Sequence, residues 1–165
     1  MKILKKSLLL IIISTLLTIF VSCLNTGGGL AGTGRTVFDD CNVLSEEEIS
    51  SLEEKTKKIK EDCGITAVIL LSDIDTNGLS DDYACDFLEY NGYDGNNIML
   101  FLDTYNRVFS VVTNGSGKEY FKPDFIKEIK ADGEAMLSEG SYYEILDGIL
   151  DKIKEITDNS GEIYE

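Results

Sequence analysis

The chain has 165 residues, with 30 Asp and Glu against 15 Lys and Arg, for a formal net charge of −15. A field of that sign repels nucleic acid and anionic headgroups, and it attracts divalent cations or cationic partners. No histidine is present, which excludes a Ser-His-Asp triad, a histidine-based zinc site and a histidine phosphoenzyme.

The first residues, MKILKKSLLLIIISTLLTIFVSC, place Lys2, Lys5 and Lys6 ahead of an apolar run over residues 8–21. A basic start, a short apolar stretch and small residues before a cut are the marks of an export signal. The alternative is an uncleaved membrane anchor, although the run is shorter than the roughly 20 residues that a spanning helix needs. Phe20-Val21-Ser22-Cys23 resembles a bacterial lipobox, in which cleavage leaves a lipidated cysteine at the new N-terminus. The expectation is a lipoprotein signal over 1–22 and a lipidated Cys23, with everything beyond it extracytoplasmic and lipid-anchored to a bacterial membrane. The Gly- and Thr-rich segment 24–36 reads as a flexible linker. The signal holds three of the basic residues and no acidic one, so the exported part is more acidic still.

One domain is expected over 37–157, large enough to bury a core without staples. Ser45-Glu46-Glu47-Glu48 is a capping box. With Ile49, Leu52, Thr56 and Ile59 at helical spacing, it predicts a first helix over 46–62, ending before Gly64. ITAVILLS (65–72) is a continuous apolar run and predicts a strand buried on both faces. Next comes the polar stretch DIDTNGLSDD (73–82). It mimics a calcium loop at its first positions, but a strand precedes it and Ala84 stands where the closing bidentate Glu would be. It is read as a connection, with Ser80 capping a helix over 81–91 that carries Tyr83, Phe87 and Tyr90 on one face. NIMLFLD (97–103) predicts a second buried strand, and RVFSVVT (107–113) its hairpin partner. Pro123 suits the first turn of a helix over 123–138. Gly140 separates it from a last helix over 141–157, and residues 158–165 are expected to fray.

This order predicts an α/β fold, a three-layer α/β/α sandwich around a small mixed sheet. Cys41 and Cys63 flank the first helix, which sets them about 25 Å apart, too far for a disulfide. With Cys85 they read as partly buried thiols. Gly115-Ser116-Gly117-Lys118 resembles the end of a phosphate-binding loop, but Glu119 stands where a hydroxyl should bind Mg²⁺, so a glycine turn is the better reading. Tyr142 and Tyr143 are expected to pack.

Ligands of open α/β sheets bind at the carboxyl ends of parallel strands. Two parallel strands over 65–72 and 97–103 would put Asp73, Asp75 and Asp103 there. The first helix would bring Asp39 and Asp40 to the same rim. Five converging carboxylates suit Ca²⁺ or Mg²⁺, which could orient a phosphate and activate water. Alternatively these residues cap helices and fill loops.

Four stretches together resemble the TPM domain family. They are VFDDCNVLSEEEISSLE (37–53), YACDFLEYNGYDGNNIMLFLD (83–103), RVFSVVTNGSG (107–117) and SYYEILDGIL (141–150). Asp39 matches the family's opening aspartate, and Arg107 and Gly115 match its hairpin. Asp94-Gly95 departs from the family's glycine loop. The resemblance implies an α/β/α sandwich. It also implies acid phosphatase activity in some members, with divalent ions held by acidic residues, and scaffold-like roles at membrane complexes in others. The expectation is therefore a membrane-anchored accessory or partner-binding protein of the cell envelope that binds a divalent metal, with metal-dependent phosphomonoester hydrolysis as the alternative. No nucleic-acid partner is expected.

Overall fold

A computed structural model describes residues 30–160. The expected export signal, Cys23 and the start of the expected linker lie outside the described residues, as does the end of the tail. A 3-10 turn (Leu30–Thr33) leads into β1 (Val37–Asp39), α1 (Glu46–Cys63), β2 (Thr66–Ser72), α2 (Ser80–Tyr90), β3 (Asn97–Asp103) and β4 (Val108–Asn114). The chain continues through the short α3 (Gly117–Tyr120), then α4 (Pro123–Glu139) and α5 (Tyr142–Ser160). The sheet order is β1-β2-β3-β4. The first two pairings are parallel and β3–β4 is antiparallel, which makes it the small mixed sheet that the sequence predicts.

Alternation along the strands divides the core in two. Val37, Ala67, Ile69, Leu71, Ile98, Leu100, Leu102, Phe109 and Val111 pack with side chains of α1, α4 and α5. Phe38, Val68, Leu70, Met99 and Phe101 pack with Ala84 and Leu88 of α2. Every residue of β2 and β3 is buried, as expected of strands covered on both sides. Three helices on one face and one on the other complete the sandwich.

The local signals explain the boundaries. In the capping box of α1, Glu48 N donates to Ser45 Oγ at 3.3 Å and Ser45 N donates to Glu48 Oε2 at 2.7 Å. The helix stops at Gly64, whose φ of 71° is left-handed. Leu52, Thr56 and Ile59 form its buried stripe. In α4, a Cβ on Gly133 would stand 2.0 Å from the Phe109 ring, so glycine there lets the helix lie against β4.

Several expectations change. The three-residue β1 and the single-turn α3 are too short to carry a period, and neither was predicted. Helix α2 starts at Ser80 rather than after it, with Leu79 at its N-cap. The Ser80 hydroxyl is turned inward and serves another partner. Tyr90 is 90% exposed, so it is not part of that helix's packed face. Cys85 is exposed as well. Helix α5 continues to Ser160, into the segment expected to fray.

The expected linker is ordered from Leu30 onward. Ala31 N donates to the Asn91 carbonyl at 3.1 Å, and the Tyr93 hydroxyl donates to the Arg35 carbonyl. Burial raises the Tyr93 phenol to about 12. The Arg35 guanidinium lies 4.9 Å over the Phe38 ring. Thr36 is buried, with its hydroxyl 2.5 Å from that of Thr56.

Candidate functional site

Because β1, β2 and β3 are parallel, their carboxyl ends share one rim. The loops 40–45, 73–79 and 104–107 sit there, and Arg107 is the one cation among those residues. All five candidate aspartates reach this rim, but their carboxylates do not converge.

The register gives the reason. Asp39 pairs with Leu71, which pairs with Leu102, and both leucines face the α1, α4 and α5 layer. Asp103 pairs with Ser72, one residue further along, and bonds to residues at the start of α2. A step of one residue reverses the face of a strand. Asp39 and Asp103 therefore point to opposite sides of the sheet.

The two strand-end carboxylates are already engaged. Asp39 accepts from Cys41 N at 3.1 Å and Leu44 N at 2.8 Å, closing the loop that feeds α1. Asp103 is fully buried. Its Oδ2 accepts from Thr76 Oγ1 at 2.7 Å, Ser80 Oγ at 2.8 Å and Asn106 Nδ2 at 2.9 Å, and its Oδ1 accepts from Asn106 N at 2.8 Å. Burial pushes its pKa up, but the Asn106 N–H, the two hydroxyls and the Asn106 amide outweigh that and leave it lowered. Asp40, Asp73 and Asp75 are exposed. Asp75 Oδ1 accepts from Asn77 N at 2.9 Å in a turn where Asn77 has a φ of 52°.

Among the described residues, no group of three or more His, Cys, Asp or Glu is arranged to hold a metal ion. The donor set argues the same way. The Oδ2 of Asp103 accepts three hydrogen bonds, and both oxygens of Asp39 are held by N–H groups. The five aspartates thus do not fit a shared Ca²⁺ or Mg²⁺.

Cys41 lies amid the rim carboxylates with its Sγ 3.5 Å from Thr104 Oγ1. Burial raises its thiol pKa. The Thr104 hydrogen bond lowers it, and the charges of Asp39, Asp73 and Asp40 raise it further. A thiol held protonated is no activated nucleophile.

The two hairpin residues hold structure together. Arg107 has a φ of 56° and donates from Nη2 to the Leu137 carbonyl at 3.0 Å, tying the hairpin to the end of α4. Gly115 has a φ of 57°, and a Cβ there would stand 2.5 Å from Asn96 Oδ1 and 2.7 Å from the Gly95 carbonyl oxygen. The Ser116 N–H donates to that Asn96 oxygen at 2.9 Å.

Sequence reading missed what else the rim displays. Among the described residues, six large apolar side chains are exposed, and Val43, Ile74, Leu79, Tyr105 and Val108 are five of them. All five come from the rim loops or the first residue of β4. Leu79 and Tyr105 are the most open, at 58% and 61%. Their signal in the sequence was an apolar residue stranded inside a polar loop.

A sheet of three parallel strands and one antiparallel strand, covered by three helices on one face and one on the other, defines the class as a small α/β/α sandwich domain. The TPM domain family model matches residues 37–156, and the chain belongs to that family. Among solved structures, it is similar to the N-terminal domain of a protein from P. gingivalis, with a TM-score of 0.70 and 18% identity over 79% of this chain and 87% of that one. It is similar to the N-terminal domain of the cg2496 protein from Corynebacterium glutamicum, with a TM-score of 0.59 and 13% identity over 74% of this chain and 79% of that one. It also resembles the BA42 protein from Bizionia argentinensis, with a TM-score of 0.59 and 15% identity over 70% of this chain and 82% of that one. At these identities the likeness is one of fold. No curated protein matches the sequence.

Proposed function

We propose that this protein is an extracytoplasmic, lipid-anchored TPM-domain protein that binds another envelope protein through the carboxyl rim of its sheet. The observation that carries this reading is the gathering of Val43, Ile74, Leu79, Tyr105 and Val108 at that rim, interleaved with the exposed Asp40, Asp73 and Asp75. Apolar side chains supply the burial, and carboxylates between them select a partner face that carries Lys or Arg around an apolar centre. Lipidation at Cys23 would hold the domain at the membrane where such a partner resides.

Phosphatase chemistry draws no support from this geometry. Asp39 and Asp103 point to opposite faces, Cys41 is a suppressed nucleophile, and the chain contains no histidine.

The test uses a photo-cross-linking residue placed at Leu79 or Tyr105 in living cells, with Tyr90 as the exposed control away from the rim. The expected result is one discrete adduct from the two rim positions, none from Tyr90, and loss of the adduct in an Asp73→Lys, Asp75→Lys variant. Equal adducts from all three positions would remove the rim from the proposal. Incorporation of labelled fatty acid, abolished by Cys23→Ser, tests the anchor separately.

A further inference from the structure

The outer edge of the sheet offers a second surface, independent of the rim. β4 is a terminal strand, so one row of its N–H and C=O groups faces away from β3. Natural edge strands are kept from pairing by short length, charge, proline or a bulge. β1, the other edge, has three residues. β4 has seven, VFSVVTN, with no charge, no proline and no glycine; Phe109, Ser110 and Val111 are buried, and Val112, Thr113 and Asn114 are partly exposed.

Beside this edge runs a cavity of about 600 Å³ lined by Thr113, Lys118, Phe121, Pro123, Ile126, Lys127, Lys130, Ala131 and Glu134. The α4 positions among them, from Pro123 to Glu134, lie on one helical stripe. They make a wall about 16 Å long, the length of an extended segment of roughly five residues. Phe121, Pro123, Ile126 and Ala131 give it an apolar floor. Lys118, Lys127 and Lys130 face it with three positive charges against the single Glu134, in a chain whose net charge is −15.

None of the salt bridges among the described residues uses Lys118 or Lys127. Lys130 stands 3.6 Å from Asp81 of α2, and Asp81 also accepts from the Ser110 hydroxyl of β4. The sheet separates α2 from α4, so Lys130 and Asp81 can meet only around the outer edge of β4. This pair straps the upper part of the edge and leaves the lower part, toward Thr113, beside the open groove.

We infer that the β4 edge and the α4 groove form a docking site for an extended, acidic segment of another polypeptide. The segment adds to the sheet as a further antiparallel or parallel strand. Backbone pairing to β4 supplies affinity, and alternate side chains divide the work. Those that face α4 enter the groove, apolar ones against Phe121, Pro123, Ile126 and Ala131 and acidic ones against Lys118 and Lys127, while those of the other face stay outside it. An acidic residue at the upper end replaces Asp81 as the partner of Lys130. A second copy of this chain is a poor occupant, because it would bring an identical lysine-lined flank and the same large negative net charge.

The probe is a synthetic peptide that repeats Val-Thr-Glu-Thr, so that Val and Glu share one face of a strand, measured by fluorescence anisotropy against the full chain in neutral detergent. Binding is expected, and it should weaken with salt. It should fall by about tenfold in a Lys118→Glu, Lys127→Glu variant, the scale of one lost charge contact at ~1.4 kcal/mol. Two altered peptides leave the protein untouched. The same repeat with Lys in place of Glu should not bind. The parent repeat N-methylated at every residue keeps its charge, loses strand pairing along both edges, and should not bind either. Equal binding of either altered peptide, or no binding of the parent, overturns the proposal. So does concentration-dependent dimerisation by sedimentation that depends on the β4 edge, which would assign the edge to a second copy.

Discussion

Two groups of aspartates share one rim and behave in opposite ways. Asp39 and Asp103 end strands, turn to opposite faces of the sheet, and spend their oxygens on N–H and O–H donors of neighbouring loops. Asp40, Asp73 and Asp75 sit one to three residues beyond strand ends and face solvent. Sequence position near a sheet edge decides which rim a residue joins. Its place in the two-residue alternation, and whether the strand still holds it, decide whether its charge is consumed by the fold or displayed to a partner.

The largest effect expected from breaking this contrast is at Asp103. Asp103→Ala strands the hydroxyls of Thr76 and Ser80 and the amide of Asn106 inside the protein, and should cost about 3 kcal/mol in chemical denaturation. Asp39→Ala opens the Cys41 and Leu44 N–H groups at the entry to α1 and should cost about 1.5 kcal/mol, the scale of a lost helix cap.

Acid sharpens the contrast next. The folded Asp103 pKa is lowered, so its contribution to stability is complete above the unfolded carboxylate pKa of about 3.9. That contribution is lost as pH falls through the lower folded value. Unfolding measured from pH 6 down should steepen below about pH 4, and Asp103→Asn should flatten that limb. The smallest effect belongs to the exposed group. Asp40→Asn, Asp73→Asn and Asp75→Asn should leave the unfolding midpoint unchanged while weakening the cross-link from Leu79.

The layers were legible because β2 and β3 are uninterrupted apolar runs, and because the capping box and Leu52, Thr56 and Ile59 fix α1. The rim was legible as a place for the same reason, since two parallel strands define their common end. The split between Asp39 and Asp103 was not legible. It depends on the register of β1 against β2, and Val37-Phe38-Asp39 is too short to display a period. Ser80 reads as a cap in sequence, yet its hydroxyl is drawn to a buried carboxylate that comes from a strand 23 residues later. The family's opening aspartate and hairpin residues carry a structural account here: Asp39 closes a loop, Arg107 holds α4, and Gly115 makes room for Asn96. The groove at α4 was hidden because Lys118, Lys127 and Lys130 look like ordinary surface lysines until β4 is known to be an edge.

The most direct measurement is a calorimetric Ca²⁺ titration of EDTA-treated protein, comparing the wild type with Asp39→Asn and Asp103→Asn. With the two carboxylates on opposite faces and already satisfied, no micromolar site should require both of them. A single micromolar Ca²⁺ site abolished by either substitution would contradict this, because it would mean that Asp39 and Asp103 reach one ion.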